Sequence, residues 1–165
     1  MIRPATPEDL PAVLDLVRQL AAYEREPDAV TGTVESYAAC LFPESGSPTV
    51  WAHVAEHDGQ VVGIAVWFLT FSTWTGGNGV WLEDLFVRPD HRGAGLGRAL
   101  MAAVAAVCAE RGYARMEWTV LDWNQPALEV YRHLGAEPLQ EWTTHRLTGT
   151  ALRDLAASGG AGGDP

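Results

Sequence analysis

Cysteine is scarce in this chain of 165 residues. Cys40 and Cys108 stand far apart with no Cys-x-x-Cys pair, which argues against a disulfide framework or a zinc site and leaves buried free thiols in a reducing compartment. Long apolar runs are missing too. No stretch approaches the roughly 18 residues of a transmembrane helix. Met1-Ile2-Arg3-Pro4 lacks the apolar core of a signal peptide, so the expectation is a cytoplasmic protein with no membrane partner. Positive charge is short: 11 basic residues face 21 acidic ones, for a net charge of −10. A nucleic-acid partner needs a basic footprint, and none is present. The acidic balance suits either a cationic small substrate or simple solubility. No internal repeat is visible, and the length suits one domain that buries about two-thirds of its unfolded surface.

Glycine, in contrast, is concentrated where it carries information. Arg92-Gly93-Ala94-Gly95-Leu96-Gly97 follows an apolar run, Trp81 to Val87, through the breaker Arg88-Pro89-Asp90, and opens a helix-patterned segment from Leu96 to Glu110. A glycine-rich turn at a helix start gathers backbone N–H groups at the positive end of the helix dipole, a ready phosphate or pyrophosphate site. Spacing excludes two better-known loops. A dinucleotide fingerprint needs its third glycine at position 98, which holds Arg98, and a Walker loop needs Gly-Lys-Ser/Thr where the chain reads Gly97-Arg98-Ala99.

The remaining elements follow from periodicity. Ile2 and Arg3 end a first strand. Thr6-Pro7-Glu8-Asp9 starts a helix with Thr6 as N-cap, and Leu10, Val13, Leu14, Val17, Leu20 and Ala21 give it an apolar stripe. A weaker helix spans Val34 to Leu41. Strands around Val50 to Val54 and Val61 to Phe71 meet at the turn Asp58-Gly59, and Gly76-Gly77-Asn78-Gly79 leads into a strand from Val80 to Val87. Met116 to Leu121 makes a fifth strand. Asn124-Gln125-Pro126 opens a short helix closed by Gly135, and further strands are expected around Pro138 to Glu141 and Thr144 to Leu147. Residues 157–165 read as a disordered glycine-rich tail after one domain over residues 1–156.

The order strand–Arg-x-x-Gly-x-Gly–helix resembles the acetyl-CoA signature of the GNAT N-acetyltransferases. Leu82-Glu83-Asp84 before the loop, Trp123-Asn124-Gln125-Pro126-Ala127 after it, and Tyr131-Arg132-His133-Leu134-Gly135-Ala136 in series are similar to the diamine (spermidine/spermine) and thialysine acetyltransferase branch. The resemblance implies an α+β fold: a mixed, mostly antiparallel sheet of about six to seven strands flanked by about four helices and splayed between strands 4 and 5. It implies acetyl-CoA as co-substrate, no metal, a small primary amine as acceptor and a homodimer. Acetylation of a protein N-terminus, a lysine or an aminoglycoside, or a non-catalytic acyl-CoA-binding module, stand as the alternatives.

Carried onto this chain, the family pattern assigns the pantetheine arm to the backbone of Leu85, Phe86 and Val87. The pyrophosphate falls to the loop Arg92, Gly93, Ala94, Gly95, Leu96, Gly97 and Arg98, and further cofactor contacts to Asn124, Pro126 and Ala127. Asn124 is equally a good helix N-cap. Tyr131 is the expected acid for the leaving thiolate, since a phenol with a reference pKa near 10 keeps its proton at neutral pH. An alkylamine near 10.4 arrives protonated, and Glu83 is the expected acceptor of that proton. Asp84 is expected to pin a second ammonium. Strand alternation sends Glu83 and Asp84 to opposite faces, so both reach one cleft only across a bulge or a strand end. Tyr23, Glu24, Trp74, Glu117, Trp118 and Thr119 match further amine-site positions. One departure stands out: Thr143 and His145 occupy places where polyamine enzymes carry an acid and an aromatic. It weakens the case for spermine or spermidine among the diamine, polyamine and thialysine-like acceptors that the resemblance implies, and leaves thialysine, short diamines or another small primary amine open.

Overall fold

The computed structural model describes residues 1–159. They form two compact units, Met1–Thr119 and the chain from Val120 onward. The expected tail at positions 160–165 lies outside the described residues.

The first unit is built on a five-stranded sheet in the order β1 (Ile2–Pro4), β2 (Trp51–His57), β3 (Gln60–Ser72), β4 (Gly77–Val87) and β5 (Met116–Glu117). Neighbours are antiparallel except β4 and β5, which run parallel. Asp58 and Gly59 both take positive φ, 48° and 74°, as a two-residue hairpin turn demands. Three helices complete the unit: α1 (Leu10–Tyr23), α2 (Val34–Leu41) and α3 (Leu96–Arg111). On one sheet face, Ala52, Val54, Ile64, Val66 and Phe86 bury against Leu10, Val13 and Leu16 of α1 and Leu41 of α2. The other face carries Ala65, Trp67, Val80, Leu82 and Val87, on the side where Gly97 of α3 meets Val87. Trp67 is fully packed there, stacked 5.0 Å from Trp51 and donating its indole N–H to His53 Nδ1 at 3.1 Å.

Two strand expectations are corrected. β5 stops at Glu117 rather than Leu121, because β4 pairs with it only through Val80 and Trp81 before the two diverge. In the second unit, the segments Pro138 to Glu141 and Thr144 to Leu147 are irregular, not strands. A strand needs a ladder partner, and no strand occurs beyond Glu117 among the described residues. The sheet therefore has five strands where six to seven are expected. The second unit holds α4 (Gln125–His133) and an unexpected α5 (Gly149–Ser158), so Ala157 and Ser158 are helical where the tail was expected. Thr148, extended at φ −140°, precedes α5 as its N-cap, and Leu152 and Leu155 give it helical spacing. Among the described residues no helix is long and apolar enough to cross a membrane.

The start of α1 is tied down by charge. Pro7–Asp9 forms a single 3-10 turn whose Asp9 accepts from Thr6 N at 2.7 Å and takes both Arg3 guanidinium nitrogens, at 2.6 and 2.9 Å. Arg3 Nε also donates to Glu56 at 3.0 Å, so one side chain links β1, α1 and β2. Asp9 is only 7% exposed, and the Arg3 hydrogen bonds, chief among the causes, lower its pKa from 3.8 to about 2. A carboxylate held low stabilises the fold above its unfolded value and loses that contribution as pH falls from about 4 towards 2. Urea denaturation should find Asp9→Asn less stable than wild type by about 2 kcal/mol at pH 7, with the gap closing near pH 2. An unchanged gap across that range would contradict the assignment.

Candidate active site

The glycine loop leaves β4 under restraint. Arg88 N donates to Val62 O at 2.9 Å, and a 3-10 turn, Pro89–His91, follows. Gly93 and Gly95 then take φ of 84° and 77°, values that L side chains rarely adopt. A Cβ at either position would meet nothing within 4 Å, so their need for glycine lies in backbone sign while the space before them stays open. Ala99 N closes the first turn of α3 on Gly95 O at 2.9 Å. The N–H groups of Leu96, Gly97 and Arg98 consequently precede any intrahelical acceptor and point outward at the positive end of α3. That donor set fits a diphosphate.

Arg92, next to the loop, also makes contacts within the unit. Its Nε donates to Val87 O at 3.0 Å, and its guanidinium lies 5.0 Å from the Tyr23 ring and 5.5 Å from the Phe86 ring. It braces the end of β4 to the last residue of α1.

The decisive local feature lies in β4. Val66 pairs with Asp84 and Trp67 with Leu82, so Glu83 is an extra residue without a partner, a β-bulge. Paired residues in an antiparallel ladder share a face. Phe68↔Trp81, Val66↔Asp84 and Ile64↔Phe86 therefore put Trp81, Asp84 and Phe86 on the α1–α2 face. Glu83 joins them, since the Trp81 indole N–H donates to its Oε2 at 2.8 Å. Without the bulge, Asp84 would alternate onto the α3 face. The condition that alternation set for two acids in one cleft is met.

The electrostatics follow from that placement. Burial first, then the charges of Glu83 and Glu24, push the Asp84 carboxyl up from 3.8 to about 6. Burial also raises Glu24, which caps the C-terminal end of α1. The half-buried carboxylates of Glu24 and Asp84 and the exposed one of Glu83 thus lie near enough to repel one another. Tyr37 of α2 lies near Asp84: burial and the Asp84 charge raise its phenol, while Arg18 opposes. Tyr37 was missed by sequence reading, and its only signal was its place in the apolar stripe of α2. Among the described residues no group of His, Cys, Asp and Glu is arranged to hold a metal ion.

Of the other expected residues of the first unit, Trp74 stands apart from the bulge, and Glu117 lies on the neighbouring strand beside Trp81. Trp74 sits 90% exposed on the turn between β3 and β4, about 20 Å along the strand from Glu83. Glu117 is engaged by Arg115 Nε at 2.8 Å at the end of the short β5, and Trp118 and Thr119 follow it. In the second unit, Asn124 Oδ1 accepts from Ala127 N at 3.4 Å, the N-cap geometry that its sequence context allows, with Pro126 in the first turn. Tyr131 lies on the same helix seven residues on, about two turns, hence on the same side as Asn124.

Residues 14–136 match the Acetyltransferase (GNAT) family. A thialysine N-epsilon-acetyltransferase of Bos taurus is 38% identical, the alignment covering 94% of this chain and 96% of the relative. An L-ornithine N5-acetyltransferase of Arabidopsis thaliana is 29% identical over 93% of this chain and 86% of its own length. Among solved structures, an integron cassette protein from the mobile metagenome of V. cholerae superposes with a TM-score of 0.77 at 24% identity, covering 94% of this chain and 96% of that one. An aminoglycoside acetyltransferase from an uncultured soil sample superposes with a TM-score of 0.75 at 19% identity, covering 90% and 96%. At those identities the structural likenesses concern the fold alone.

The acid cluster makes a measurable prediction. A carboxyl raised from 3.8 to about 6 favours the fold below its unfolded value and costs stability once pH passes its folded value. Asp84→Asn should therefore stabilise the protein at pH 8, by up to about 3 kcal/mol, and change little at pH 4. Carbon-detected NMR titration should place the Asp84 midpoint near 6 and move it down in Glu83→Gln. A midpoint at the ordinary carboxylate value would contradict the cluster.

Proposed function

Because the chain belongs to the GNAT acetyltransferase family, we propose that it moves the acetyl group of acetyl-CoA onto a primary amine of a small molecule, an amino acid or short diamine with a terminal ammonium. The observation that carries this reading is the bulge in β4. It gathers Glu83 and Asp84 on one face beside Glu24, a concentration of negative charge suited to a cationic acceptor. Relatives named for thialysine and ornithine, both amino acids with a side-chain amine, support the same class.

In this reading the loop N–H groups from Gly93 to Arg98 hold the diphosphate, and the β4 backbone at Leu85, Phe86 and Val87 runs beside the pantetheine arm. Among the described residues β4 pairs with β5 only through Val80 and Trp81, so its backbone at Leu85 to Val87 carries no strand partner on that edge. Bound there, acetyl-CoA supplies an activated acetyl carbonyl. Glu83 takes the proton from the acceptor ammonium, directly or through a water, and frees the nitrogen lone pair for attack. The N–H of Val87 or its neighbour steadies the negative charge that grows on the acetyl oxygen. Asn124, Pro126 and Ala127 flank the arm, and as the carbon–sulfur bond breaks Tyr131 gives its phenolic proton to the departing sulfur, its phenolate being restored by the second proton that the new amide nitrogen sheds. Tyr23, Glu24, Asp84, Glu117, Trp118 and Thr119 shape the acceptor side, with Trp74 further out.

Assays of CoA release across a panel of amines should show turnover with thialysine, ornithine or short diamines. Activity restricted to peptide N-termini or to aminoglycosides would defeat the small-amine reading. Tyr131→Phe should lower kcat about 10²-fold with acetyl-CoA affinity nearly intact, whereas Gly95→Val should abolish acetyl-CoA binding in calorimetry. A homodimer belongs to the same proposal, supported by the exposed Leu139, Trp142, Leu152 and Leu155 of the second unit. Light scattering should return twice the 17.8 kDa chain mass, and a monomer at assay concentration would exclude it.

A further inference from the structure

Glu83 occupies the one position in β4 that the ladder with β3 does not pair. Its side chain is exposed and rotamer-rich, so neither strand pairing nor packing fixes where its carboxylate points. A proton acceptor needs a fixed direction, because proton transfer depends on hydrogen-bond geometry at a few tenths of an ångström. The fixing group is Trp81, two residues earlier on the same face, whose indole N–H donates to Glu83 Oε2 at 2.8 Å. Trp81 is itself well placed to hold still. Its backbone is the last of β4 to pair with β5, through Glu117, and its ring rests 6.4 Å, centroid to centroid, from that of Phe68 on β3. The indole therefore stands where the two strands part, anchored on both sides and aimed at the bulge.

We propose that Trp81 is a positioning residue, whose indole N–H orients the Glu83 carboxylate so that one oxygen is held and the other receives the proton of the acceptor amine. The assignment rests on the proton-accepting role proposed for Glu83. Indole is a donor only, so the contact has one polarity and no tautomeric alternative. A hydrogen bond from a neutral N–H to a carboxylate is charge-assisted, stronger than one between neutral groups and more directional than the packing that holds the ring.

The test uses the full chain. Trp81→Phe keeps an aromatic ring and removes the donor. Trp81→His keeps a ring N–H at the corresponding place in a five-membered ring. Trp81→Phe should lower kcat about tenfold with the KM for acetyl-CoA unchanged, and Trp81→His, assayed at pH 8, should recover a substantial part. In a Glu83→Gln background, Trp81→Phe should cost little more, since the oriented group is already gone. A readout independent of turnover accompanies these. The Trp81 indole proton in NMR should lie downfield of the other indole protons and move upfield in Glu83→Gln. Wild-type kcat in Trp81→Phe, full additivity of the two substitutions, or an indole proton indifferent to Glu83→Gln would each overturn the proposal. Should no amine turn over, the functional reading fails on its own, and the indole proton still decides whether Trp81 holds Glu83.

Discussion

One unpaired residue in β4 organises the chemistry of the first unit. The extra position at Glu83 shifts the alternation of everything after it, so Trp81, Glu83, Asp84 and Phe86 share one face while Leu82, Leu85 and Val87 take the other. A regular strand would have divided the two carboxylates between opposite sides of the sheet. A bulge also increases local twist, and β4 parts from β5 immediately before it, after Trp81. The same irregularity thus assembles the acid cluster and stands at the opening of the sheet.

The cost of that arrangement is electrostatic and is borne within the cluster. Asp84, half-buried beside Glu24 and the exposed Glu83, holds its proton to about pH 6. Mutual repulsion among Glu24, Glu83 and Asp84 favours the protonated form of Asp84, and any nearby positive charge would shift that balance back towards the carboxylate. Arg92 reaches the end of α1 from the loop side, its guanidinium bonded to Val87 O and set over the faces of Tyr23 and Phe86, and it is not among the charges that shift Asp84. That brace joins the glycine loop to the acid-bearing end of α1 through a single side chain.

Close approach explains one glycine that no turn requires. A Cβ at Gly79 would come within 2.8 Å of the Arg115 side chain and 3.2 Å of its carbonyl oxygen. Val80 N, next in line, donates to that same carbonyl at 3.0 Å. The parallel pairing of β4 with β5 depends on this bare backbone, and it lasts only two residues before the strands separate.

Much of this was legible from residue order alone. The left-handed glycines of the loop, the Asp58-Gly59 hairpin and the apolar stripe of α1 are local properties, set by backbone sterics and by side-chain period within a few residues. The family resemblance read from Leu82-Glu83-Asp84 and the glycine loop belongs to the same class, since motifs are contiguous. The bulge at Glu83, the gathering of Glu24 and Tyr37 around Asp84, and the inward turn of Arg92 were decided by tertiary structure. Each depends on the register between strands or on helices packed across a sheet, and pairings between distant residues leave no periodic trace in the chain. The absent strands near Pro138 and Thr144 teach the same lesson: alternation suggests a strand, but only a neighbour with free backbone groups makes one.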